Sequence, residues 1–437
     1  MTKRFLRVPF LAVLYALIIS QISLAQELAS VNIAFDRENC LYSVGDVATI
    51  TVSALDAANA PVASGKLSVK VTNDGRDVLA QEERDLAGAS EPLVLTQTLE
   101  KPGFIKVYAT AVSADGAVQK TALAGAGFDP LEIQPGLPKP DDFDEFWARG
   151  KEEVRAIPLD LKQTKIESLS NENRDMYAIS FATVDNQRLY GYLGIPKKGE
   201  APYPAIVNVA WAGLGFGPDP GAADEGFAIL TLNVFPYECP IDQAERQRLY
   251  DEYNKNLGVL YFYLNSNDRD KFFYRASYLG LDRIVDWFVD QDFVDKTRVG
   301  YHGTSQGGGL GLVLGGLNKR FTDMVVSVPA LCDQGGCLTG RCSGWPQLID
   351  NANGDEKVRE ASRYYDAANF ARSINVPITV TVGFVDVTCV PSSVYAAFNV
   401  IPSAKKQIVH NVNSGHAPDL SYGGALAVLK ERLKKRQ

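Results

Sequence analysis

The chain has 437 residues, 46% hydrophobic and 22% charged, with a net charge of -8 and a pI near 5.2. This composition excludes a disordered chain, and the length exceeds one ordinary domain, so two are expected. A net-acidic surface repels phosphate backbones and anionic lipid, which excludes nucleic-acid binding and favours a neutral partner or substrate.

The N-terminus carries Lys3, Arg4 and Arg7, an uncharged apolar run, and then Ser23-Leu24-Ala25, a small-residue cleavage pattern. Residues 1–25 therefore read as a secretory signal peptide. The alternative, an uncleaved anchor, needs a longer apolar core of about 20 residues. An exported protein with no membrane span after cleavage is expected.

From 27 to 128, short stretches such as "VNIAFD", "ATITVSAL", "KLSVKVTND" and "GFIKVYATAVS" alternate apolar with polar positions. Turn-rich "SVGD", "NDGRD" and "EKPG" separate them. This spacing predicts a small all-β, immunoglobulin-like sandwich, and nothing in it resembles a chemical site. Residues 129–140, part of a stretch with four prolines, predict an extended linker between two independently folding units.

From 141 to 437, helical patterns such as "DDFDEFWARGKEEVRAI" and "YLGLDRIVDWFVDQ" alternate with the apolar runs "YPAIVNVAW", "FAILTLNVF", "TRVGYHG", "DMVVSVPA", "VPITVTVGF" and "KQIVHNV". The expected fold is α/β, a mostly parallel sheet with helices on both faces. Six cysteines, at 40, 239, 332, 337, 342 and 389, do not specify a pairing. CxxC pairs or nearby histidines would mark a zinc site; neither is present, so no metal is expected and a local disulfide among Cys332, Cys337 and Cys342 is.

"GYHGTSQGGGLGLVLGG", residues 300–316, concentrates glycine around Ser305. With a strand before it and a helix after it, Gly303-Thr304-Ser305-Gln306-Gly307 is a G-x-S-x-G elbow, which holds its serine at a strained backbone angle above the sheet. Glycines on either side keep the neighbouring strand and helix from colliding, and the helix N-terminus offers NH groups to a developing oxyanion. No Lys-Ser or Lys-Thr follows for a phosphate loop, and Gly309-x-Gly311 falls too late for a dinucleotide fingerprint.

A serine nucleophile needs a base, and the only histidines are His302, His410 and His416. His302 lies in the elbow strand and His410 inside an apolar run, where structural roles are expected. His416 follows the last strand in the small-residue loop "NVNSGHAP" and is the expected base. The acid should fall between serine and histidine; Asp386, just after "VPITVTVGF", meets that order at a strand's carboxyl end, with Asp333 and Asp419 as rivals.

These segments, "RVGYHGTSQGGGLGL", "GFVDVTCVPSSVYAAFN" and "SGHAP", resemble the acetyl xylan esterase and cephalosporin C deacetylase group, carbohydrate esterase family seven of the α/β-hydrolase fold. "DDFDEFWARG" and "DKFFYRASY" extend the resemblance over about residues 140–437. It implies Ser305 as nucleophile, Asp386 as acid and His416 as base, with oxyanion donors from the NH of Gln306 and of Ala212 in "NVAWAGLG". The chain departs from the family at three places: Ala210-Trp211-Ala212 stands for His-Gly-Tyr, "FPYECP" for the Arg-Gly-Gln signature of the hexameric members, and Ala417 for a glutamate. Oligomeric state is therefore left open.

The resemblance implies a serine esterase that removes acetyl groups from carbohydrates and needs no cofactor. Trp211, Phe235, Tyr237 and Trp345 fall in loops near the strand ends, where aromatic faces stack on sugar rings or simply anchor the loops. Rival readings are another serine hydrolase on the same fold, a peptidase or lipase, and a carbohydrate-binding protein without activity.

Overall fold

In the computed structural model, which describes residues 27–89, 91–417 and 422–435, the alternating stretches near the start of the chain form strands. These are β1 (Ser30–Phe35), β2 (Leu41–Tyr42), β3 (Ala48–Leu55), β4 (Lys66–Asn73), β5 (Asp77–Asp85), β6 (Leu93–Gln97), β7 (Gly103–Val112) and β8 (Gln119–Phe128). They make two sheets, ordered β1-β3-β6 and β2-β8-β7-β4-β5. In β3, Ala48, Ile50, Val52 and Ala54 are buried while the residues between them stay partly exposed, the two-residue period of a half-buried strand. Ile50, Val52, Leu67, Val69 and Val107 join one apolar cluster between the sheets, each contributing about 1.5 to 3 kcal/mol. The signal-peptide segment lies outside the described residues.

The chain then forms α1 (Phe143–Ala156), β9 (Lys162–Lys165), β10 (Arg174–Ala182), β11 (Arg188–Pro196), β12 (Tyr203–Val209), α2 (Pro220–Asp224), β13 (Ala228–Leu232), α3 (Gln243–Leu257) and α4 (Tyr274–Val289). After these come β14 (Val294–Thr304), α5 (Gln306–Leu317), β15 (Asp323–Ser327), α6 (Glu356–Tyr365), α7 (Ala367–Ala371), β16 (Ile378–Gly383), α8 (Pro391–Asn399), β17 (Lys406–Asn411) and α9 (Tyr422–Lys435). One sheet runs β17-β16-β15-β14-β12-β13-β11-β10-β9. Strands β12 to β17 pair in parallel and coincide with the six apolar runs of the sequence, whereas β9, β10 and β11 extend the sheet antiparallel. Strands β12, β13, β15 and β16 and the second half of β14 are buried almost throughout because helices cover both faces, while the edge strand β17 alternates; the loops at the carboxyl ends are left to carry chemistry.

The expected linker is not a free spacer. Asn399 at the end of α8 donates to Pro130 O at 2.9 Å and Ile133 O at 2.8 Å, and Gly136 N donates to Asp333 Oδ1 at 2.7 Å. Nor are the two cores independent. Phe104 of β7 packs edge-on against Phe384, with ring centroids 5.0 Å apart, and against Tyr395 at 5.5 Å. A single buried apolar cluster runs through both units.

The expected local disulfide is absent; all six cysteines are free thiols. The three loop sulfurs have separate neighbours: Cys332 Sγ donates to Ala330 O at 3.2 Å, Cys337 Sγ reaches Gln334 O at 4.0 Å, and Gln347 Nε2 donates to Cys342 Sγ at 3.6 Å.

Candidate active site

Ser305 stands between the end of β14 and the first residue of α5, with φ 58° and ψ -121°. A non-glycine residue holds this backbone only when its surroundings over-determine it. Here Ser305 N donates to Ser327 O at 2.9 Å, and Ser305 O accepts from Gly309 N at 3.0 Å and Ala330 N at 2.9 Å. The flanking glycines are needed for close approach. A Cβ on Gly303 would lie 2.4 Å from Gly307 O, and one on Gly307 would lie 2.2 Å from Val209 O.

Asp386 follows β16 and is fully buried. Its Oδ1 accepts from Thr388 N at 2.8 Å and Cys389 N at 2.9 Å, which fixes the carboxylate plane. Its Oδ2 accepts from His416 Nδ1 at 2.8 Å. That bond places the imidazole proton on Nδ1, so Nε2 is the acceptor for the Ser305 hydroxyl at 3.0 Å. The His416 side chain is 36% exposed, so the hydrogen-bonded chain opens to solvent at its serine end and is closed at its acid end.

The other candidates lie elsewhere. His302 is fully buried in β14, where burial pushes its pKa down to about 4. His410 stacks on Phe384 with ring centroids 5.0 Å apart. Asp333 accepts from Gly136 N and pairs with Arg341 at 2.9 Å, and Asp419 lies outside the described residues.

Gln306 contributes more than its backbone NH, which as the first residue of α5 has no acceptor within the helix. Its buried side chain accepts at Oε1 from the hydroxyls of Tyr261 and Tyr274, each at 2.7 Å, and donates from Nε2 to Ala210 O at 3.5 Å. Burial raises both phenols well above their ordinary pKa, which keeps them protonated donors. These contacts tie the elbow to the Ala210-Trp211-Ala212 turn after β12. The two tyrosines escaped the sequence reading as site residues, although Tyr274 lies in the quoted "DKFFYRASY".

Of the four aromatic candidates, Phe235 is corrected. It is fully buried, with Tyr237, Tyr250, Tyr253 and Tyr261 packed around its ring, so it offers no face to a ligand. Tyr237 is half-buried and stacks on Phe235 at 5.1 Å, and Trp345 sets its ring against Phe262 at 4.7 Å. Trp211 is 41% exposed beside Ala212 and leans edge-on against Phe216 at 4.5 Å.

Ligand atoms of Asp386, Cys389 and His416 lie within 4.8 Å of one another. The carboxylate and imidazole are already bonded to each other, and burial raises the Cys389 thiol well above its ordinary pKa, away from the thiolate a metal would want. The donor set fits a proton relay better than a metal.

The acetyl xylan esterase (AXE1) family profile matches residues 131–425. The chain belongs to the acetyl xylan esterase family. Among relatives within and near this family, acetyl esterase Axe7A of Xylanibacter ruminicola is 30% identical over 322 residues, covering 72% of this chain and 71% of its own. Two solved structures share the fold at 24% identity, each over 70% of this chain and 98% of its own: an acetyl xylan esterase from Paenibacillus sp. R4 with TM-score 0.59, and acetyl xylan esterase 1 from Thermoanaerobacterium sp. JW/SL YS485 with TM-score 0.57. Residues 27–128, the two-sheet sandwich, lie outside the family match.

Proposed function

We propose that this esterase removes acetyl groups from acetylated oligo- or polysaccharides through an acyl-serine intermediate. The observation that carries the proposal is the relay from Asp386 Oδ2 through His416 to Ser305 Oγ, at 2.8 Å and 3.0 Å, in a chain of this family. Ser305 Oγ attacks the acetyl carbonyl carbon while His416 Nε2 takes its proton. The carbonyl electron pair moves to oxygen, and the NH groups of Gln306 and Ala212 are the donors assigned to that oxyanion. Loss of one such donor typically costs about 2.7 to 4 kcal/mol of barrier.

Collapse of the intermediate breaks the bond to the sugar oxygen, which leaves with the proton from His416. Water then enters, gives its proton to His416 and attacks the acyl-serine, so that acetate departs and Ser305 is restored. Asp386 holds the imidazole in the required tautomer and stabilises its charge in both halves. Tyr237 and Trp345, each with part of its side chain exposed, are the assigned contacts for a sugar ring, and Trp211 beside Ala212 is assigned to the acyl side.

Export belongs to the same proposal. Its support is the basic, apolar and small-residue order of residues 1–25, and no described helix is long and apolar enough to cross a membrane. Acetate release from acetylated xylan and from a panel of acetylated saccharides tests the function. Wild-type protein should release acetate and Ser305→Ala should not; absence of release from every acetylated saccharide would reject it.

A further inference from the structure

The burial pattern of β7 changes along its length. Its far half alternates, but Gly103 to Val107 are buried without a break. Ile105 and Val107 join the core between the two sheets, so Phe104 and Lys106 point the other way. There the sandwich meets the acid loop of the esterase unit. Phe104 lies against Phe384, two residues before Asp386, and Gly125 of β8 comes so close that a Cβ on it would sit 2.6 Å from Phe384 O.

Lys106 is fully buried in this contact, which is rare for a lysine and costly unless its charge is matched. Its Nζ donates to the backbone carbonyl of Asp386 at 2.6 Å. Its counter-charge is Asp74, also fully buried, with Oδ1 3.9 Å from Nζ. Asp74 sits in the turn after β4 and accepts at Oδ2 from the Ser392 hydroxyl and from Cys342 N, so the pair is anchored at the start of α8 as well.

We infer that Lys106 is a positioning residue for the esterase reaction: through the Asp386 carbonyl, the sandwich holds the Asp386 carboxylate in register with His416. Within its own loop the carboxylate accepts from Thr388 N and Cys389 N, which move with it, and its other oxygen accepts from His416, the group it must orient. Backbone bonds from Phe384 N to Asn411 O at 3.1 Å and from Val385 N to Ser414 O at 3.3 Å tie the acid loop to the segment that carries His416. Lys106 adds a tie from outside both of these loops, on the Asp386 residue itself and supplied from 280 residues away. The sandwich is thus a brace for the catalytic relay. This inference rests on the proposed esterase function and names a new part of that site.

The test compares hydrolysis of p-nitrophenyl acetate by full-length wild type, Lys106→Met, and Lys106→Met/Asp74→Asn, the last removing both buried charges together. Each is made again in an Asp386→Asn background, with Ser305→Ala as control, and folding is checked by circular dichroism and thermal melting. In folded variants kcat should fall by about tenfold or more, as sub-ångström misplacement of a catalytic group allows, with KM within about twofold of wild type. In the Asp386→Asn background the same changes should leave kcat nearly unaltered, because the group being positioned has already lost its role.

Unchanged kcat in a folded variant overturns the inference. So does an equal loss in both backgrounds, and so does failure of both variants to fold, since either result assigns the pair to stability alone. An inactive wild type, or an active Ser305→Ala, would instead sink the esterase reading itself.

Discussion

The hydroxyl of Tyr274, on α4, donates to Gln306 Oε1 at 2.7 Å, one residue from the elbow serine. Tyr261, whose ring centroid lies 6.4 Å from that of Tyr274, donates to the same oxygen at 2.7 Å. Gln306 is fully buried, so this oxygen has no access to water as a substitute. Tyr274→Phe should cost about 0.5 to 1.5 kcal/mol of stability, since one donor remains. Tyr261→Phe/Tyr274→Phe should cost more than the sum, because the last donor is removed. Denaturant midpoints for the two single variants and the double decide this, and simple additivity would reject it.

Asp386→Asn should lower kcat by about 10⁴-fold without unfolding the protein. An amide in that position turns a donor toward His416 Nδ1 and moves the imidazole proton to Nε2, where it opposes the Ser305 hydroxyl. His416→Ala and Ser305→Ala should each abolish turnover as well, whereas His410→Ala, which removes a ring stacked on Phe384, should change stability more than kcat. Kinetics on a soluble acetyl ester beside melting curves separates these. A folded His410→Ala variant without activity would contradict the assignment of the base.

The relay could be read from sequence because its chemistry leaves so few choices. Three histidines, one G-x-S-x-G elbow and two aspartates, Asp333 and Asp386, that follow apolar runs in the right chain order leave few combinations, and the structure brings Asp386 rather than Asp333 within hydrogen-bonding distance of His416. The inner parallel strands were legible for a related reason, since burial on both faces writes continuous apolar runs. The antiparallel extension was harder. Between β10 and β11 the chain turns at Asp185-Asn186, both with positive φ, a hairpin signal in retrospect, but β9 is an exposed "KQTK" with no pattern at all. Which of the two roles Phe235 takes is not legible, because position in the chain says which loop a residue joins and not which way its ring points; the ring is fully buried. The Lys106 contact was beyond reach: a lysine in an alternating strand reads as a solvated face, and its partner lies 280 residues further on.

His302 should make stability depend on pH. Burial, with a smaller contribution from Lys430, holds its folded pKa down at about 4, against 6.5 for the ordinary group. Between those values the unfolded chain takes up a proton that the folded chain refuses. Its contribution is therefore complete above pH 6.5 and is lost as pH falls through that window toward 4, by about 3 kcal/mol in total. His302→Asn should flatten this part of the stability curve relative to wild type. Parallel curves for the two proteins from pH 7 to pH 4 would show that His302 does not titrate in this way.

Expression of residues 129–437 without the sandwich should give an insoluble or weakly active protein, contrary to what a proline-rich linker suggests. Removing β7 uncovers Phe384 and Tyr395, and it removes the donor on the Asp386 carbonyl. The proline segment would lose nothing by itself, since Asn399 and Asp333 would still hold it. Yield, monodispersity and kcat on p-nitrophenyl acetate measure the outcome. A soluble fragment with full activity would mean that the shared apolar contact is dispensable.

The acyl side of the site should accept acetyl and refuse longer chains. Trp211 is the chain neighbour of Ala212, the assigned oxyanion donor, and its ring packs edge-on against Phe216 at 4.5 Å. A pocket able to bury a longer chain would gain about 0.8 kcal/mol for each methylene. Activity that instead falls from acetyl through butyryl to octanoyl esters of one alcohol therefore reports steric exclusion overriding that gain. We expect kcat/KM to fall steeply along this series, and Trp211→Ala to soften the fall between acetyl and butyryl while leaving octanoyl poor. Removing the ring leaves the NH of residue 212 in place, so acetyl turnover should persist and the comparison stays within one mechanism. A rise toward octanoyl in the wild type would replace the acetyl reading with a lipase-like one, and an unchanged chain-length profile in Trp211→Ala would place the exclusion on another wall of the site.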